Sequence, residues 1–197
     1  MRFSEEEISQ LIKAWAAIAL AFTIAGASRT GSLAFGSLQN FLTIFFISVV
    51  TVGLAFLLHE IAHKFQAQKY GCWAEFRSFD MGLMIALLGS FVGFIFAAPG
   101  AVMISGVIST SERGKIAAVG PITNIVLALL YLAVWYFVPV SGILYQIIIY
   151  GASINAGLAV FNLIPLWNLD GLKIIRWNSA IWTAMFLGSI GLLMIVR

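Results

Sequence analysis

Five stretches of apolar sequence dictate what this chain can become. Leu11 to Ala27, Phe41 to about Phe65, Ile116 to Val138, Ile143 to Ile164 and Trp177 to Val196 alternate with short polar loops. Each approaches the ~20 residues that a helix needs to cross a bilayer. The first is marginal, and the last is interrupted near its start by Asn178. Charged residues make up only 10% of the chain and the mean hydropathy is +1.02, where a soluble domain carries roughly 25% charged residues. One water-facing fold cannot hide that much apolar surface. The sequence therefore predicts an all-α polytopic membrane protein, with residues 1–197 as a single transmembrane domain in contact with the lipid bilayer. The net charge of +3 comes from basic residues scattered through short loops. They read as membrane-orientation signals rather than a nucleic-acid surface. The acidic start MRFSEEEISQLIKAW does not read as a cleaved signal peptide. Cys72, the single cysteine, can form no internal disulfide.

Residues 81–108, MGLMIALLGSFVGFIFAAPGAVMISGVI, carry no charge but are rich in glycine and broken by Pro99-Gly100. The β-branched and aromatic residues around that turn predict a hairpin. If this segment does not cross, Lys64, Lys69, Arg77, Arg113, Lys115, Lys173 and Arg176 share one side, against Arg29 and Arg197 on the other. If it crosses, four of those cations change sides and the asymmetry vanishes. The positive-inside rule selects the first case. The expected fold has five to six transmembrane helices, five being favoured, with a re-entrant β-like segment at about 81–108 and the N-terminus cytoplasmic. Non-helical backbone at membrane depth must be covered by protein or line a wet cavity.

Within the second apolar stretch lies LLHEIAHKF, which contains H-E-x-x-H as His59, Glu60 and His63. Residues i and i+4 share a helix face, so both imidazoles can meet one zinc ion. Glu60 can reach a water bound there and act as general base. The bland alternative is a chance match in a structural helix. Against it stand two facts: these are the chain's only two histidines, and ionisable groups inside membrane helices are usually functional. Lys64 is expected to snorkel to the surface. Catalytic zinc takes a third protein ligand. Glu5, Glu6 and Glu7 read as a solvated helix start, and Glu75, Asp80 and Glu112 as loop residues. Asp170 follows FNLIPLWNL, where Pro165 must break the fourth helix, and the five-span topology returns it to the same membrane face as His59 and His63.

With these residues in view, the chain resembles the site-2 protease family of intramembrane zinc metalloproteases. HEIAH matches that family's zinc helix. GPITN, Gly120 to Asn124, resembles G-P-x-x-N at the start of its next core helix, and NLIPLWNLDG resembles N-x-x-P-x-x-x-L-D-G. The resemblance implies a catalytic core at about 41–171, one Zn²⁺ per chain held by His59, His63 and Asp170, and Glu60 and Asn162 as catalytic residues. It also implies a transmembrane protein substrate, presented in extended form on a strand-like edge. Trp167 and Asn168 stand where family members often carry prolines, which bears on the rigidity of that loop. Asn124 reads as an oxyanion helper or as an interhelical lock, Asn155 as structural. The expected activity is hydrolysis of peptide bonds within or near transmembrane segments, in a prokaryotic cell membrane with the active site toward the cytoplasm. The alternative is a zinc-binding membrane protein without proteolytic activity. A prenyl-protein peptidase would need a distant membrane glutamate, and a zinc carrier further ligands along a path. Oligomeric state and substrate identity are left open.

Overall fold

The computed structural model describes residues 2–29, 38–93 and 99–196. Its helices are α1 (Glu5–Arg29), α2 (Leu38–Lys69, with a π-helical turn at Val49–Gly53), α3 (Asp80–Ser90), α4 (Thr110–Phe137), α5 (Gly142–Leu163), α6 (Asp170–Trp177) and α7 (Ser179–Ile195). The strands β1 (Trp73–Ser78) and β2 (Gly100–Ser105) pair in one small sheet. Among the described residues, four helices are long and apolar enough to cross a membrane: the first 24 residues of α1, then α2, α4 and α5. α7 is apolar but only 17 residues long, because Asn178 ends α6 and its Oδ1 caps α7 by accepting from Ile181 N at 3.0 Å. The predicted fifth stretch is thus shorter than the expected span.

The described chain divides into two units. One comprises residues 2–57 and 75–103. In it, Trp15 donates its indole N–H to Val49 O at 3.3 Å, at the π turn. A Cβ on Gly53 would land on the Trp15 ring, so glycine makes room for the indole. Trp15 is therefore a packing residue. The acidic start of α1 is not uniformly solvated either. Glu7 is fully buried and accepts Phe76 N at 3.0 Å, while Gln10 accepts Ser78 N at 2.9 Å. Phe76 and Ser78 are alternate residues, so both N–H groups point to one edge of β1. Side chains of α1 close that edge.

Of the hairpin expected around Pro99-Gly100, the described residues include the C-terminal side, which is strand. β2 begins at Gly100, and residues 94–98 lie outside the described residues. Among the described residues its partner is β1, which precedes α3. A Cβ on Gly100 would meet Arg77 and Ser78, and one on Gly106 would meet Cys72, so the two strands run antiparallel. Glu75 lies in β1, and Asp80 opens α3, rather than in loops. α3 ends at Ser90, which leaves Gly93 in a turn at φ 75°.

The second unit holds residues 58–74 and 104–197. α4 starts at Thr110, ahead of the predicted Ile116, because Ser109 and Glu112 form a reciprocal capping box. The Ser109 side chain accepts Glu112 N at 3.2 Å, and Glu112 Oε2 accepts Ser109 N at 2.8 Å. Two N–H groups that the first turn leaves without helical partners are thereby satisfied. Glu112 belongs to this helix and not to a loop. α5 stops at Leu163, since Ile164 precedes a proline and is extended at ψ 127°. Leu163 O, which has lost its helical partner, accepts Trp182 Nε1 at 2.7 Å. Leu163 and Ile174 are fully buried with Ala117 and Ala118, and Trp177, Ile181, Trp182, Met185 and Phe186 pack around them.

Candidate metal centre

Two helices of the second unit bring three polar groups to one point. His59 and His63 sit one turn apart on α2, and Asp170 is the first residue of α6. All three are buried, at 5%, 7% and 6% exposure. His59 Nε2 and His63 Nε2 lie 3.0 Å apart. Asp170 Oδ2 is 3.3 Å from the first and 3.0 Å from the second. A tetrahedral zinc with ligands at about 2.0–2.1 Å has edges of about 3.3–3.4 Å. The observed triangle agrees with that geometry to a few tenths of an ångström.

The outer nitrogens show how the triangle is held. His63 Nδ1 lies 2.7 Å from Ile116 O. A carbonyl only accepts, so Nδ1 carries the proton and Nε2 keeps its lone pair for the centre. His59 Nδ1 donates in the same way to Asn124 Oδ1 at 2.6 Å. Such outer partners fix the tautomer and orientation of metal-binding histidines. Both are provided by α4. Pro121, inside that helix, has no N–H for the carbonyl of Ala117, and its ring crowds that carbonyl. The helix is loosened next to the residue whose carbonyl receives His63. GPITN therefore lies well inside α4, not at its start, and each of its unusual residues has a use there. Gly120 is the sharpest case. A Cβ at this position would overlap His63 Nε2 and come within 2.6 Å of His59 Nε2. It would fill the place where the two ligand atoms converge.

Asp170 is delivered by the broken segment after α5. Leu166 N bonds to Ile164 O at 2.8 Å and Leu169 N to Leu166 O at 3.1 Å. Trp167, at the turn, takes the left-handed conformation at φ 51°, which is costly for a bulky residue. This tight turn occupies the stretch where prolines were noted as missing. A Cβ on Gly171 would collide with the Leu163 carbonyl and stand 2.8 Å from Ile164 O, so only glycine lets α6 start this close to the end of α5. Asp170 divides its oxygens. Oδ2 faces the imidazoles, and Oδ1 accepts Lys173 Nζ at 3.2 Å.

Glu60 is half-buried, and its carboxylate is electrostatically coupled to His59, His63, Asp170 and Lys173. It makes no side-chain hydrogen bond among the described residues. Asn162 lies on α5 and donates to Leu158 O at 3.0 Å, one turn back, leaving its second N–H. Lys64 departs from expectation: it is 1% exposed, a buried residue of α2 rather than a surface one. Sequence reasoning missed the Ile116 carbonyl, Lys173 as a partner of Asp170, and the steric role of Gly120. A backbone carbonyl leaves no residue-type signal, but a glycine four residues before an asparagine in GPITN was visible.

The donor set, its buried location and its bonded outer nitrogens all suit Zn²⁺. A protein of Methanocaldococcus jannaschii named "Putative zinc metalloprotease MJ0611" is 38% identical over 193 residues, which cover 96% of this chain and 94% of that protein. The chain belongs to this family of zinc metalloproteases. No protein-family model matches it, and no solved structure matches it. The His59, His63 and Asp170 cluster is the group of metal-ligating side chains found among the described residues, and it fits the zinc that the relative's name states.

Proposed function

We propose that this metalloprotease is an intramembrane endopeptidase of the site-2 protease kind, hydrolysing peptide bonds within or near transmembrane segments of membrane proteins. The observation that carries the reading is the location of the ligand set. His59 and His63 lie on a 32-residue apolar helix, and Asp170 joins them from the start of α6, which follows the apolar α5. The centre belongs to helices suited to lipid, not to a water-facing domain.

When bound, zinc lowers the pKa of a water molecule toward neutrality and polarises the scissile carbonyl. His59, His63 and Asp170 are the residues that hold it. Glu60 accepts the proton of the attacking water and returns it to the leaving amine. Lys173 keeps Asp170 Oδ1 occupied, so that Oδ2 alone faces the histidines. The second N–H of Asn162 serves the developing oxyanion. Asn162 follows Asn155 by seven residues, which places both on one face of α5. The substrate is presented in extended form. A helical substrate hides its peptide bonds in its own hydrogen bonds, so extension must precede cleavage. The reading includes five crossings, a cytoplasmic N-terminus and an active site toward the cytoplasmic side of a prokaryotic membrane, as the loop cations favour.

The test is purification in detergent, zinc analysis per chain, and incubation with a single-span membrane substrate. The account expects about one zinc per chain in both wild type and Glu60→Gln, with cleavage only by wild type. Zinc binding without cleavage of any membrane substrate would favour the non-proteolytic alternative.

A further inference from the structure

We infer that Asn155, whose side chain bonds Gly151 and Asn124, is a positioning residue that sets the orientation of His59 through Asn124. The inference rests on His59 being a metal ligand. Asn124 and Asn155 are 0% and 1% exposed, and they connect three helices by a chain of hydrogen bonds. Asn155 Nδ2 lies 2.8 Å from Gly151 O, Asn124 Nδ2 lies 3.0 Å from Asn155 Oδ1, and Asn124 Oδ1 lies 2.6 Å from His59 Nδ1.

The direction of this chain is fixed at one end. Gly151 O is a carbonyl and can only accept, so the NH₂ of Asn155 must face it. That turns Asn155 Oδ1 toward Asn124. Asn124 must then present its own NH₂ to Asn155 and its Oδ1 to His59. Facing an acceptor, His59 Nδ1 carries the proton, and Nε2 is left with a lone pair directed at the metal position. Which atom Asn124 presents decides which tautomer His59 adopts. Rotated by half a turn, Asn124 would offer N–H, His59 would answer with a bare Nδ1, and the proton would sit on Nε2, where it excludes a metal. A helical carbonyl on α5 thus selects the metal-binding tautomer of a histidine on α2, with two amides transmitting the choice. Glycine at 151 has its own reason, since a Cβ there would collide with the Tyr131 ring. The resulting close approach of α5 to α4 is what lets the short Asn155 side chain reach Asn124.

A carboxylate at 124 removes the need for orientation, because both of its oxygens accept. This supplies a cycle that separates positioning from mere packing. Cobalt(II) uptake would be followed by its visible absorption against a competing chelator, using the full chain in detergent, for wild type, Asn155→Leu, Asn124→Asp and the double variant. Loss of an outer partner of a metal-binding histidine typically costs 10–100-fold in affinity. Asn155→Leu is expected to weaken cobalt binding by about that factor when Asn124 is present, and by less than about threefold when Asp replaces it. Should Asn155→Leu fail to fold, Asn155→Ser serves instead: its hydroxyl can bond Gly151 O but is too short to reach Asn124. Equal loss in both backgrounds would assign Asn155 to packing alone and overturn the proposal. So would an unchanged affinity in Asn155→Leu. A wild type that takes up no cobalt would overturn the metal reading itself, and this inference with it.

Discussion

Gly120→Ala adds one methyl group to the protein at the most sensitive point of the centre. The new Cβ would overlap His63 Nε2 and sit 2.6 Å from both His59 Nε2 and His63 Cε1. Real Cβ contacts essentially never fall under 3.0 Å, so the imidazoles must retreat by at least about 0.4 Å, whereas a zinc site tolerates only about ±0.2 Å in its ligand distances. The rings cannot swing freely, because His59 is bonded at 2.6 Å to Asn124 and His63 at 2.7 Å to Ile116 O. Moving them breaks those bonds, and shifting α4 instead disturbs Ala117 and Ala118 in the buried cluster. Overpacking of this kind costs about 1–3 kcal/mol in stability. The loss of metal should be larger in proportion: zinc affinity is expected to fall more than about 100-fold. Zinc retained after dialysis against a graded chelator, beside the thermal midpoint of the metal-free protein, measures both effects. A Gly120→Ala protein that holds zinc as tightly as wild type would refute the placement of Gly120 against the ligand atoms.

Other outcomes follow from the same geometry. Asp170→Ala should abolish tight zinc binding, measured as metal per chain, whereas Glu60→Gln should leave it within a few-fold of wild type and remove cleavage. Ser109→Ala should lower stability by about 1 kcal/mol, the usual worth of such a cap, seen as a shift in the unfolding midpoint without loss of zinc. Trp182→Phe removes the donor to Leu163 O and should cost about 1–3 kcal/mol for the unpaired buried carbonyl, read by the same assay. Hydrogen bonds from Lys13 and Ser78 hold the Asp80 carboxyl below its ordinary value. A lowered folded-state value means that its contribution is complete above the ordinary carboxylate range and fades as the pH falls through the folded-state value. Asp80→Asn should therefore remove a small stabilisation at neutral pH and converge with wild type in strong acid.

The centre was more legible in the sequence than the scaffold around it. H-E-x-x-H carries its own geometry, because helical periodicity puts His59 and His63 on one face wherever the helix lies. Asp170 could be found because Pro165 forces a break and few acids remain to choose from. Glu7 and Lys64 could not be placed, since charge argues for solvent and only tertiary packing decides otherwise. β1 was missed because Trp73 to Ser78 mixes charged and apolar residues, and its edge is satisfied by side chains from a helix about seventy positions earlier. β2 was visible from its own residues, yet its partner was not. Pairing depends on contacts that a local pattern does not encode. The early start of α4 was readable as S-x-x-E at Ser109 and Glu112, but hydropathy alone begins the helix at Ile116. Asn124 and Asn155 were noticed as polar groups in apolar helices. Only the structure shows that they are bonded in series, with a polarity that ends at His59.

The most direct test of the whole account is to locate the bond that is cut. Zinc-loaded protein, reconstituted in lipid vesicles with a single-span substrate, would be incubated beside Glu60→Gln and the products measured by mass spectrometry. The account predicts that wild type alone yields fragments ending within or at the edge of the substrate's apolar span. Cleavage confined to the substrate's water-facing region, or by wild type and Glu60→Gln alike, would contradict it.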